Sequence, residues 1–203
     1  MSIELIIYLE PSSEFKDQVD TFLKETEATL GWTTANKYGC HITMAGFFKV
    51  EDSQEIKNKM DSVLKNTRFT VAPQVGKPLL IRDEKTNLPV HLILPITSTE
   101  EYREAMAMIA EECKQVVLLR LKKINHISLA YWDEENATSI QQNQWQQLVS
   151  KGVFDKIKQS ADAYFQDVGD PLSWDIVLYE RVSKGDLVGQ DHVFKKLGRW
   201  PLD

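Results

Sequence analysis

Apolar positions along the 203-residue chain alternate between a period of two and a period near 3.6, dividing it into short strands and helices. Ile3 to Leu9 predicts an opening strand. Ser12 and Ser13 then offer caps to a helix whose Phe15, Val19, Phe22, Leu23 and Leu30 fall on one side. Cys40 to Phe48 returns to strand. Asp52-Ser53-Gln54-Glu55 has the form of a capping box, and Ile56, Met60, Val63 and Leu64 follow at helical spacing. Phe69 to Ala72 and Lys77 to Arg82 predict short strands. Leu88 to Ile96 predicts a longer one after the turn Asp83-Glu84-Lys85-Thr86-Asn87. A helix over about Thr99 to Gln115 is started by Ser98, with Glu101 three residues on. Ile124 to Trp132 is again strand. Helical periodicity runs through Trp145, Leu148 and Val149, breaks near Gly152, and resumes through Phe154, Ile157 and Tyr164. Trp174 to Arg181 and Val193 to Leu197 close the chain as strands around Lys184-Gly185-Asp186.

This order makes the second half a loose echo of the first. No linker rich in Pro, Gly or Ser separates the halves, so residues 1–203 read as one α+β domain with two related lobes.

The echo is sharpest in a phrase that occurs twice. Cys40-His41-Ile42-Thr43-Met44-Ala45 reappears as Asn125-His126-Ile127-Ser128-Leu129-Ala130, and each copy runs into aromatics, Phe47 and Phe48 or Tyr131 and Trp132. Successive side chains of a strand point to opposite faces, so His41 shares a face with Thr43, and His126 with Ser128. Side by side, two such strands line one cleft with two imidazoles and two hydroxyls. His91 has no hydroxyl two residues on and is read as structural; His192, in a polar stretch, is read as exposed.

Composition narrows the setting. No apolar run reaches the length of a membrane span, the start lacks the pattern of a secretory signal, and two cysteines make no disulfide framework. The expectation is a cytoplasmic monomer, with the nucleus as the other setting. A net charge of −6 argues against a large footprint on duplex nucleic acid but leaves room for a small phosphate ligand. Leu121-Lys122-Lys123 and Phe194-Lys195-Lys196-Leu197 are local basic spots of the kind usually solvated.

Other chemistries fit the residues less well. Residues i and i+2 on a strand lie roughly 6.5 Å apart, too far for His126 to activate Ser128 directly. Cys40 and His41 are adjacent and face opposite sides. There is no His-Glu-x-x-His, cysteine pair at zinc spacing, calcium loop or phosphate loop. The acidic pairs Glu100-Glu101, Glu111-Glu112 and Glu134-Glu135 read as solvated. Metal-free acid–base chemistry by two histidines remains.

His41-x-Thr43 and His126-x-Ser128, each inside an apolar strand, resemble the paired motifs of the two-histidine (2H) phosphoesterase superfamily. His126-Ile127-Ser128-Leu129-Ala130-Tyr131 is most similar to the small eukaryotic 2′,3′-cyclic nucleotide phosphodiesterases. The resemblance implies a bilobal fold, with two antiparallel sheets, outer helices and a catalytic cleft between the lobes. It implies His41 and His126 as the catalytic pair, Thr43 and Ser128 as donors to phosphate oxygens, and Tyr131 as a substrate contact. Strict alternation, however, points Phe47 and Trp132 cleftward and Tyr131 away unless the strand bulges. Trp32 and Tyr38 are candidates either for base stacking or for core packing. The expected reaction is hydrolysis of a cyclic phosphodiester without a cofactor. Its substrate would be a 2′,3′-cyclic nucleotide, an RNA 2′,3′-cyclic end or ADP-ribose cyclic phosphate, with His126 as base and His41 as acid. An ordinary histidine pKa near 6.5 would let one be neutral and the other charged. Alternatives are a 2′,5′-oligoadenylate or RNA 3′-end phosphodiesterase, and a non-catalytic nucleotide- or RNA-end-binding module.

Overall fold

A computed structural model describes residues 2–133 and 137–202, so the pair Glu134-Glu135 lies outside the described residues. The elements run β1 Ile3–Pro11, α1 Ser13–Leu30, α2 Thr34–Tyr38, β2 Ile42–Val50, α3 Ser53–Leu64, β3 Gln74–Val75, β4 Leu79–Arg82 and β5 Pro89–Thr97. They continue as α4 Glu100–Cys113, β6 His126–Tyr131, α5 Ser139–Ser150, α6 Val153–Tyr164, β7 Trp174–Ser183 and β8 Val193–Leu202. Two antiparallel sheets result. One has the order β2-β1-β7-β8; in the other, β5 pairs with β3 and β4 on one side and with β6 on the other. The two strands that carry the repeated phrase, β2 and β6, are therefore both edge strands.

The lobes are not the two halves of the chain. β7 and β8 return to the first sheet, where β7 pairs with β1 from Leu5↔Glu180 to Pro11↔Trp174. The chain's two ends thus build one lobe, and β3 to α6 build the other. β1 is buried along Leu5 to Pro11 because it is central and covered on both faces, which explains why it reads as an unbroken apolar run. Two helix pairs join the lobes: α1 packs on α6, with Phe22 against the rings of Tyr164 and Phe165, and α3 packs on α4.

Local chemistry accounts for most boundaries and for the misreadings. Asp52 caps α3 by accepting from the N–H of Gln54 at 2.8 Å. Ser12 occupies the cap position of α1 but makes no side-chain cap bond. Thr99 rather than Ser98 precedes α4, because the Ser98 hydroxyl donates to the carbonyl of Ile124 at 3.1 Å. Phe69 to Ala72 is not a strand; Phe69 packs on Tyr102, and the Tyr102 hydroxyl donates to the Val71 carbonyl. The short helix α2 lies where no apolar period announced one, held by a reciprocal Thr33–Asn36 capping box.

A third connection matters most for the cleft. Before β6, the chain at Arg120 to Lys122 lies against the free edge of β2: Gly46 N–H donates to the Arg120 carbonyl at 3.0 Å, and Lys122 N–H to the Met44 carbonyl at 2.9 Å. The next residues are tied to the other lobe. Ile96 N–H donates to the Asn125 carbonyl at 2.8 Å, beside the Ser98–Ile124 bond. Between the two attachments Ile124 takes φ of +52°, a left-handed conformation costly for a β-branched residue. Its side chain is buried, which supplies the compensating packing.

The core face of β6 is formed by Ile127, Leu129 and Ala130, none more than 1% exposed. Ile127→Ala should cost roughly 2–5 kcal/mol, read as a lower midpoint in urea at unchanged m-value.

Candidate active site

The cleft between β2 and β6 has a volume of about 290 Å³, at the small end for a ligand site. His41, Thr43, His126, Ser128 and Tyr131 all line it, so every residue singled out by the repeated phrase and its resemblance meets in one place. His91, Lys122, Lys123 and Asn125 line it as well.

His41 is set by the turn before β2. Gly39 closes α2 with φ of +67°, and its carbonyl lies 3.0 Å from His41 Nδ1. A carbonyl only accepts, so Nδ1 carries the proton and the basic nitrogen is Nε2. Asp20 on α1 fixes this turn from behind, accepting from Cys40 N–H at 2.7 Å; burial raises its carboxyl pKa. The ring of Tyr8, from β1, lies against the imidazole with centroids 4.1 Å apart. His126 is held in the same way: its Nδ1 donates to Oδ1 of Asn125 at 2.9 Å. Both histidines thus have Nδ1 committed to an oxygen acceptor, which orients the ring and leaves Nε2 for chemistry.

Two sequence expectations are corrected here. His91, read as structural, lines the cleft. On β5 it is paired with Tyr131, its Nε2 lies 2.9 Å from Ser128 Oγ, and its ring meets those of His126 and Tyr131 at 5.1 and 5.0 Å. His192 is buried, not exposed. Its Nδ1 accepts from Gly185 N–H at 3.0 Å, and its Nε2 lies 3.2 Å from the hydroxyl of Tyr38, tying the β7–β8 loop to α2.

Tyr131 reaches the cleft through a bulge. Ser128 faces Ile93 and Ala130 faces Leu92, so Leu129 is an extra residue on β6 and the alternation slips by one. Tyr131 then faces the same side as His91, while Trp132 turns away to stack on Trp145 at 4.9 Å. β2 has two register shifts of its own against β1, and Phe47 lies under the Arg181 guanidinium at 3.9 Å, next to Phe194. Trp32 packs edge-on to Trp132, whereas Tyr38 sits 5.8 Å from the His41 ring.

The electrostatics also differ from the simple expectation. Burial lowers His41 to about 4, with Lys16 and His126 adding to the effect against the Gly39 hydrogen bond. Burial lowers His126 too, and it takes His91 to about 4 with help from His126. In the unliganded cleft both members of the pair are therefore neutral at pH 7. A proton on either one needs an anion nearby to stabilise it. Among the described residues no group of three His, Cys, Asp or Glu side chains is placed to hold a metal ion. No helix among them is long and apolar enough to cross a membrane.

His41, His91 and His192 each fall to about 4, and burial is the first cause in all three. Unfolded, they would bind protons below about 6.5. Their stability contribution is thus present above 6.5 and lost as pH falls toward 4, where the unfolded chain holds more protons. The thermal midpoint should drop on acidification through that window, and His192→Asn should flatten the drop. A midpoint constant from pH 7 to 4.5 would contradict these buried neutral states.

No family model matches the chain. It is 28% identical over 141 residues to an ecdysteroid-phosphate phosphatase of Bombyx mori; the match covers 66% of this chain and 20% of that protein. The protein of the same name from Drosophila melanogaster is 32% identical over 76 residues, covering 37% of this chain and 10% of its own length. The chain therefore spans only a small part of the curated relatives it matches. Among solved structures, E. coli LigT complexed with ATP superposes with a TM-score of 0.51 at 11% identity, over 100% of this chain and 99% of LigT. The architecture built above, two antiparallel sheets with helices outside and one cleft between, is the fold that LigT shows.

Proposed function

We propose that the cleft hydrolyses a cyclic phosphodiester without a metal, using His41 and His126 as an acid–base pair. The observation that carries this reading is their matched geometry. Both have Nδ1 pinned to an oxygen acceptor and both open onto one small cleft that also holds Thr43 and Ser128. In the proposed reaction one neutral imidazole takes a proton from water. The water oxygen bonds to phosphorus as one ring P–O bond breaks, and the other imidazole, protonated, gives its proton to the departing sugar oxygen. The product is a phosphomonoester beside a free hydroxyl. Thr43 and Ser128 donate to the non-bridging oxygens as charge builds there. The bound anion raises the pKa of the neighbouring imidazoles and so creates the charged acid that the empty cleft lacks. His126 is assigned as base and His41 as acid.

In this scheme His91 positions Ser128. With its Nε2–H donated to Ser128 Oγ, the serine proton is left for the phosphate. The same 2.9 Å contact favours one second reading, in which Ser128 is a nucleophile activated by His91 and the substrate is a phosphomonoester, as the relatives' name suggests for those proteins. A panel of 2′,3′-cyclic, 2′,5′-linked and monoester phosphates in excess chelator, followed by phosphorus NMR, separates the two. Ring opening of the cyclic substrate with retained phosphomonoester is expected. Release of inorganic phosphate from the monoester alone, or activity lost to chelator and restored by a divalent ion, would overturn the leading reading.

His41→Ala and His126→Ala should each lower kcat by about 10²–10⁴-fold, and Thr43→Ala or Ser128→Ala by about 10–10³-fold, in protein that still folds. His91→Ala should resemble Ser128→Ala, and the double variant should be no worse than Ser128→Ala alone. Losses that multiply would assign His91 a separate step.

Because burial lowers both catalytic histidines in the free protein, the bell of kcat/KM should centre on the acid side of 6.5. The bell of kcat, which reports the complex, should lie at higher pH. A kcat/KM that climbs to an alkaline plateau would mean that no protonated acid takes part.

A further inference from the structure

Beyond the histidines and hydroxyls, the cleft has a cationic side that the proposed reaction does not use. Lys122 and Lys123 line it, and Arg120 lies next to Lys122: a Cβ placed on Gly46 would come within 2.9 Å of Arg120 Nη2 and 3.2 Å of Lys122 Cε. Gly46 thus leaves the space in which two cations pass side by side. Their backbone is not a loose loop. It is bonded to β2 at Met44 and Gly46, and it ends at Ile124, whose left-handed conformation is held from the other lobe.

Among the described residues these cations also lack a carboxylate partner. Arg82, Arg181 and Arg199 each have a carboxylate partner, on Asp155, Glu4 and Asp175. Among the described residues Arg120, Lys122 and Lys123 form no ion pair, although the chain as a whole carries an excess of acids. Three like charges kept together without a counter-charge repel one another, and an anion relieves that repulsion. The scissile diester carries a single negative charge and already has two hydroxyl donors and a protonated imidazole.

We propose that Lys122 and Lys123, with Arg120 beside them, bind a second phosphate, so that the substrate is a cyclic phosphate bearing another phosphate group on the same molecule. The inference rests on the cyclic-phosphodiester reading of the same cleft and extends it to substrate class. Discrimination would come from the cationic side, while the histidine pair supplies the chemistry.

Two arms test this. In calorimetry, the protein should bind adenosine 3′,5′-bisphosphate about tenfold more tightly than adenosine 3′-phosphate, the scale of several partly exposed ion pairs. The preference should shrink as salt rises. It should vanish in Lys122→Ala/Lys123→Ala and persist in Lys122→Arg/Lys123→Arg, with circular dichroism confirming that both variants fold. Equal affinity for the two ligands, binding of neither, or a preference that survives the alanine variant would overturn the subsite. In the kinetic arm, kcat/KM is compared for a nucleoside 2′,3′-cyclic phosphate, its 5′-phosphorylated form, and a dinucleotide ending in the cyclic phosphate. A preference for the second identifies a terminal phosphate as the ligand, and a preference for the third an internal phosphodiester. Equal kcat/KM for all three would overturn the subsite and leave the reaction standing. Turnover of none would overturn the reaction, with calorimetry still deciding the subsite.

Discussion

The hydrogen bonds that Arg120 to Asn125 make to both sheets set the spacing of the cleft, and the rest of the site depends on them. Without that segment β2 and β6 would be two unpaired edges belonging to different lobes. With it, the β2 edge is bonded at Met44 and Gly46 to the same short piece of backbone that runs on into β6 and is bonded to Ile96 of β5 and to Ser98. It also shields the β2 edge, which would otherwise invite pairing with another chain. The strain at Ile124 belongs to this arrangement: the chain must leave one sheet and join the next within two residues. A single left-handed residue makes that reversal, and burial of its side chain offsets the cost.

The histidines illustrate how a site can be assembled in its resting state. Anchoring Nδ1 fixes each ring, and burial keeps each ring neutral. An empty cleft with two buried imidazolium ions would be self-repelling and poorly solvated. Under the proposed reaction the charged form would wait until an anion is there to compensate it. In the proposed reaction, neutral histidines in the free protein and a protonated acid beside the bound anion are two stages of one electrostatic design.

Much of this was legible in the sequence because repetition and alternation are local properties. The two phrases pointed to two strands, their shared inward residues and a common cleft; that both are edge strands came from the sheet pairing. What escaped was set by cross-strand register. His91 has no local mark of function; it enters the site because β5 places it opposite Tyr131 and next to Ser128. Tyr131 faces inward because Leu129 is an extra residue, and one bulge reverses every later side chain. His192 looked exposed among polar neighbours, yet a turn folds it under Tyr38. Which segments make up each lobe is hidden for the same reason, since pairing of β1 with β7 leaves no trace in either segment alone.

That pairing bears on how the molecule forms. The lobe carrying His126 is contiguous from β3 to α6, so its contacts close over modest stretches of chain. The lobe carrying His41 has at its centre the pairing of Leu5 with Glu180 and its neighbours, which spans nearly the whole chain. During synthesis β1 and β2 emerge early, yet β1 has no partner on its other side until the residues from Trp174 onward have left the ribosome. The half of the cleft encoded first is thus the half completed last.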